Sequence, residues 1–75
     1  MMLPLTMADT GETVTIRKIR GKEETRRHLA AMGFVECGPV TVVSKAAGNL
    51  ILQVKDSRIA LDKSMASRIM IGMER

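Results

Sequence analysis

The chain has 75 residues, a net charge of +4, one cysteine, one histidine and a single aromatic ring. This length supports one domain over residues 1–75, and a chain so short buries only about 60–65% of its unfolded surface. A lone cysteine excludes an intrachain disulfide, and one cysteine with one histidine falls short of the four ligands of a closed zinc site.

The core must therefore be aliphatic, and the shortage of rings also bears on function. Proline-rich peptides are held in aromatic grooves and unpaired bases are stacked on aromatic side chains, so neither mode of binding is open to this chain. The opening Met1–Ala8 run has no basic start and too short an apolar stretch for a signal peptide. Nothing approaches the ~18 apolar residues of a membrane span. With an unpaired thiol, this makes the expected location cytoplasmic.

In chain order, Leu3-Pro4-Leu5 leads to a turn signal at Asp9-Thr10-Gly11-Glu12. Thr13 to Arg20 alternates as a strand with Val14 and Ile16 on one face; Ile19 has the opposite phase, which predicts a bulge near Arg17-Lys18. The period then changes. Over Gly21 to Met32, Thr25, His28, Leu29 and Met32 recur at helical spacing as the inward side. Glu23 and Glu24 suit the positive end of the helix dipole, and Gly33 follows as a left-handed cap from which Phe34 folds back.

From Val40 the period is two again. A three-residue loop Ala47-Gly48-Asn49 would pair Ala46 with Leu50, Ser44 with Leu52 and Val42 with Val54. That register gathers Val40, Val42, Leu50, Leu52 and Val54 on one face and leaves Lys45, Gln53 and Lys55 on the other, whereas a one-residue slip inverts the faces. A turn at Asp56-Ser57 would then pair Val54 with Ile59 and Leu52 with Leu61. Asp62 caps a helical turn over Lys63 to Ser67 with Met65 and Ala66 inward, and Ile69, Ile71 and Met73 form a last strand. The fold expected is mainly β: a small five-stranded SH3-like barrel with one short inserted helix and a helical turn before the last strand. Closure suits so many short strands because it removes exposed edges.

These residues resemble the ferrous iron transport protein A (FeoA) family over nearly the whole chain, Leu3 to Met73. The shared features are the opening Leu-Pro-Leu, a turn with Gly11-Glu12, the strand Val14-Thr15-Ile16 and a helix ending Arg26-Arg27-x-Leu29-x-x-Met32-Gly33-Phe34. Ala60-Leu61, Ala66 and Ile69-x-Ile71 complete them. One departure stands out: the family has Pro-Gly opening the second strand, and here Glu36-Cys37 precede a displaced Gly38-Pro39. The resemblance implies a cytoplasmic accessory protein of bacterial ferrous iron uptake. Its implied partner is the membrane iron permease with a cytoplasmic GTP-binding domain, the membrane being reached only through that partner.

The residues themselves offer little chemistry. His28 and Cys37 lack an orienting third group for a nucleophilic dyad, and Gly21-Lys22 lacks the upstream glycine of a phosphate-binding loop. No enzyme activity, catalytic residue or bound cofactor is expected. His28, Glu24, Glu36 and Cys37 could converge loosely around the helix end on Fe2+, yet their spacing does not support it, and surface acids with an inert thiol are the plainer reading. The seven methionines are better core filler than soft ligands.

Arg17, Lys18, Arg20, Lys22, Arg26 and Arg27 place six cations within eleven residues. This is either a solvated face or a patch that steers docking onto an acidic partner or anionic headgroups. The expected docking surface is the end of the helix and its exit: Arg26, Arg27, Ala30, Ala31, Gly33, Phe34 and Val35. Two other functions remain open, a metal-responsive Fe2+ module and a basic barrel binding nucleic acid, though missing stacking residues disfavour specific nucleic-acid recognition.

Overall fold

The computed structural model describes residues 1–72. Six antiparallel strands form one sheet: β1 (Met2–Pro4), β2 (Thr13–Ile19), β3 (Pro39–Ala46), β4 (Asn49–Val54), β5 (Ser57–Asp62) and β6 (Ile69–Gly72). Helix α1 (Glu23–Ala31) follows β2, and α2 (Lys63–Ala66) lies between β5 and β6. The sheet order β1-β6-β2-β3-β4-β5 leaves β1 and β5 at its edges. β1 runs into a 3-10 turn at Leu5–Met7 and β5 runs into α2, and these two helical pieces pack on each other, which brings the ends of the curved sheet together.

The SH3-like barrel expected from the pattern is therefore present, with one strand more than the five anticipated. β1 was not legible as a strand because it is three residues long and contains Pro4, a residue tolerated in strands at edges. It pairs with β6 through Leu3 and Ile71, and the following turn sinks Leu5 and Ala8 fully into the core.

The core is aliphatic except for Phe34. Ile16, Val42, Leu52, Ile69 and Ile71 are completely buried, and no polar or charged side chain among the described residues is buried with them. Each such residue contributes roughly 1.5–3 kcal/mol by leaving water. Met32 and Met65 fill gaps at the margin of this core.

The bulge in β2 lies where the phase change places it: the register against β6 shifts between Ile16 and Lys18, and Ile19 returns to the interior. The Asp9–Glu12 turn also forms, with the Glu12 amide donating to the Asp9 carbonyl at 3.0 Å. Asp62 caps α2, its Oδ1 accepting from the Met65 amide at 2.8 Å. Met73 lies outside the described residues.

Both hairpin registers differ from expectation. The β3–β4 loop has two residues, Ala47 and Gly48, so Ala46 pairs with Asn49 and Lys45 with Leu50. A bulge between Val42 and Ser44 then restores the phase, and Val42 pairs with Leu52. The hydrophobic face survives because an extra residue is absorbed within β3 instead of in the loop. Ala47 and Gly48 both have positive φ, 43° and 86°, the pattern of a type I′ turn whose twist matches the strands. The β4–β5 turn likewise uses Lys55 and Asp56, not Asp56-Ser57, so Leu52 pairs with Ile59 and Leu50 with Leu61. Lys55 takes φ 54° to make that turn.

Replacing Ala47 with asparagine, which enters the left-handed region readily, should stabilise the fold by about 0.5–1 kcal/mol. Urea denaturation of Ala47→Asn checks this; an unchanged or lower midpoint would show that the turn is not of this type.

Candidate functional site

Helix α1 ends in a Schellman motif. Gly33 sits at φ 103°, its amide donates to the Ala30 carbonyl at 2.9 Å, and the Phe34 amide donates to the Leu29 carbonyl at 3.0 Å. This reversal turns the chain back under the helix and buries Phe34 completely beside Leu29. A methyl group at Gly33 would meet the Val54 side chain at 3.6 Å and Lys55 Cδ at 4.0 Å, so the helix end rests on the β4–β5 turn.

The exit segment is held as firmly. The Gly38 amide donates to the Val35 carbonyl at 3.1 Å, closing a four-residue turn with Cys37 third at φ 70°. Positive φ at that position alone is the type II pattern, which favours glycine. The Cys37 amide donates to the Ile16 carbonyl at 2.7 Å, and the Ile16 amide donates to the Gly38 carbonyl at 2.9 Å. The exposed thiol of Cys37 thus sits on a backbone pinned to β2.

Of the residues expected to form the docking surface, Arg26, Arg27, Ala30, Ala31 and Val35 are exposed, Val35 by 39%. Gly33 is half-buried and shapes the surface through its backbone. Phe34 is the correction: it is 0% exposed and supports the surface from beneath without belonging to it. The cap responsible was legible as Gly33, but the outward-facing ring did not follow from it. Arg27 is tied along the helix to Glu23 at 2.9 Å, an exposed i,i+4 pair that contributes a few tenths of a kcal/mol at most. Lys55, which the sequence reading left out, stands beside Gly33 because a long-range turn brings it there.

His28 is a second correction. It lies on the exposed side of α1 instead of inward, since the helix touches the barrel along a narrow line centred on Leu29. Glu24, His28, Glu36 and Cys37 are all exposed, and among the described residues no three His, Cys, Asp or Glu side chains gather as a metal site would require. A shallow open depression of about 260 Å³ lies at the other end of the barrel, between the β3–β4 turn, Thr6 and Lys63. Lys45 crosses it and donates from Nζ to the Thr6 carbonyl at 3.2 Å. Among the described residues, no helix is long and apolar enough to cross a membrane.

Comparison with known proteins places these features. The profile of the FeoA domain matches residues 3–72. A protein of Methanocaldococcus jannaschii bearing the name Fe(2+) transport protein A is 31% identical over 70 residues, covering 93% of this chain and 85% of that one. A crystal structure of an iron uptake regulatory protein (FeoA) superposes with a TM-score of 0.86 at 28% identity, covering 96% of each chain. The Stenotrophomonas maltophilia FeoA, solved with zinc and described as an SH3 domain protein, superposes with a TM-score of 0.80 at 24% identity, covering 96% of this chain and 89% of that one. The molecule is thus a small SH3-like β-barrel protein of ferrous iron transport. The chain belongs to the FeoA domain family, whose members are accessory proteins of that transport.

The buried ring gives the first test of this site. Phe34→Ala should cost about 3–5 kcal/mol in urea denaturation, most of the stability a domain this small possesses. Val35→Ala should cost far less. Equal losses would show that the buried Phe34 ring is not the dominant anchor of the helix exit.

Proposed function

We propose that this protein is a non-enzymatic accessory factor that docks on the cytoplasmic GTP-binding domain of a membrane ferrous iron permease and biases its conformational equilibrium. The observation that carries this reading is the surface at the end of α1. Ala30, Ala31 and Val35 expose apolar atoms beside Arg26, Arg27 and Lys55, on a backbone fixed by the Gly33 cap and the Ile16 hydrogen bonds. A rigid apolar patch rimmed by cations suits a protein partner whose contact face is acidic, since small side chains admit close approach and charge guides the encounter. Family membership supports the setting, and the Stenotrophomonas maltophilia relative is proposed in its description to activate ferrous iron transport.

Binding can act on a transporter only through unequal affinity for its states. A change of about tenfold in one state's population corresponds to roughly 1.4 kcal/mol of differential affinity, within reach of a few well-placed contacts. In this reading no cofactor is held, GTP hydrolysis remains the partner's chemistry, and Fe2+ is the cargo of the permease and not a ligand of this chain.

Placing a carboxylate in the patch should break the contact without unfolding the barrel. In calorimetry with the permease's GTP-binding domain, Ala31→Glu and Val35→Glu should each weaken binding by at least tenfold while leaving the urea midpoint close to that of the parent. Undiminished affinity in both variants would rule out this surface. Calorimetry with Fe(II) under anaerobic conditions separates the metal-responsive alternative, because the docking reading predicts no heat of metal binding.

A further inference from the structure

The geometry points to a second surface, the outer face of β1–β6–β2, as a contact for the anionic headgroups of a lipid bilayer. Leu3, Ile71 and Ile16 pair across these three strands and face the core. Side chains alternate along a strand, so the neighbouring rows lie on the side away from the core: Met2, Gly72 and Thr15 in one, Pro4, Met70 and Lys18 in the next. Gly72 and Met70 of the central strand are themselves buried, and the flanking strands carry the exposed positions Met2 and Lys18. The β2 bulge sends Arg17 and Lys18 to solvent in succession before Ile19 turns back to the core.

At the far end, the Arg20 amide donates to the Arg68 carbonyl at 2.7 Å, joining two segments almost fifty residues apart in the chain. The Arg68 guanidinium lies over Gly21, where its Nη1 would be 3.3 Å from an added Cβ. Arg20, Lys22 and Arg68 therefore stand at the same end of the face, and Lys18 continues the row along β2. Among the described residues, none of these four cations has a carboxylate partner; Glu23, the first acid of α1, is engaged by Arg27, and Glu24 stands exposed beside it.

The apolar component lies at the other end of the same face, level with Gly72 and Thr15. Met2 is 44% exposed on the outer face and Met1 is 95% exposed next to it. Gly72 lets the Arg17 chain lie flat across β6, since a Cβ there would stand 3.0 Å from Arg17 Cγ. A sheet face with flexible thioethers at one end and a row of cations running to the other offers both the apolar and the cationic contacts of a membrane interface. The cations are spread along the strands on long side chains, which suits a diffuse sheet of phosphates better than one paired carboxylate. The single aromatic ring is buried, so the face offers no stacking platform to nucleic acid.

The inference does not rest on docking to the permease, and its test contains no permease. The purified chain is sedimented with vesicles of phosphatidylcholine alone or mixed with phosphatidylglycerol. It should partition only onto the anionic vesicles, less so as salt is raised. Arg20→Gln and Arg68→Gln should each lower partitioning by about fivefold. Met2→Ser should weaken it while preserving the salt dependence, and Lys45→Gln, at the other end of the barrel, should leave it unchanged. Retention of the folded state is checked by the dispersion of the amide spectrum. Equal partitioning of parent and arginine variants would overturn the proposal. So would no binding to anionic vesicles at low salt, or equal affinity for polyglutamate or duplex RNA, which would mark the patch as an unselective polyanion binder.

Discussion

The structure depends on how α1 is tied to the barrel. The helix has nine residues and only Leu29 among them is fully buried, so its own packing is slight. What fixes it is the left-handed Gly33 and the ring of Phe34 turned beneath it, the one aromatic in an otherwise aliphatic core. A short helix is marginal in isolation and takes its stability from tertiary contact. Here that contact comes from the residue immediately beyond the cap. The exit then cannot wander, because Cys37 and Gly38 are hydrogen-bonded to Ile16 of β2. Ala30, Ala31 and Val35 are thus presented on a rigid base, so a partner docking there, as proposed, would cost the segment little conformational entropy.

The proposed interactions use the protein's surface. The depression beside Lys45 is shallow and open. Seven of the cations fall into two groups, Arg26, Arg27 and Lys55 toward the end of α1, and Lys18, Arg20, Lys22 and Arg68 around its start. Two surfaces at opposite ends of one helix would let the barrel meet a protein and a bilayer together, a geometry in keeping with a factor of membrane transport.

Much of this fold is written in periodicity. The switch from period two to the helical spacing of Thr25, Leu29 and Met32, the misphased Ile19 and the Asp62 cap are local signals, and each has its local structure. What escaped the sequence was decided by backbone conformations with no residue signature. Ala47, Lys55 and Cys37 all enter the left-handed region that glycine favours, and the first two reset the hairpin registers. The Val43 bulge compensates for the shorter loop, so two errors in position cancelled and the buried face was still correct. His28 and Phe34 failed for another reason. Helical spacing gives the face of a helix but not how wide a stripe the barrel covers, and a cap gives a reversal but not the depth of the ring that follows. The exposure of the small residues at the end of α1 was legible, while Lys55 and Arg68 joined their groups only through long-range contacts.

The account is tested most directly by amide chemical-shift mapping of the labelled chain against the permease's GTP-binding domain. It predicts perturbations concentrated at residues 26–35 and at Lys55, with the amides of β3 and of the Ala47-Gly48 turn unmoved. Shifts centred on the Lys45 depression, or none at saturating partner, would contradict it.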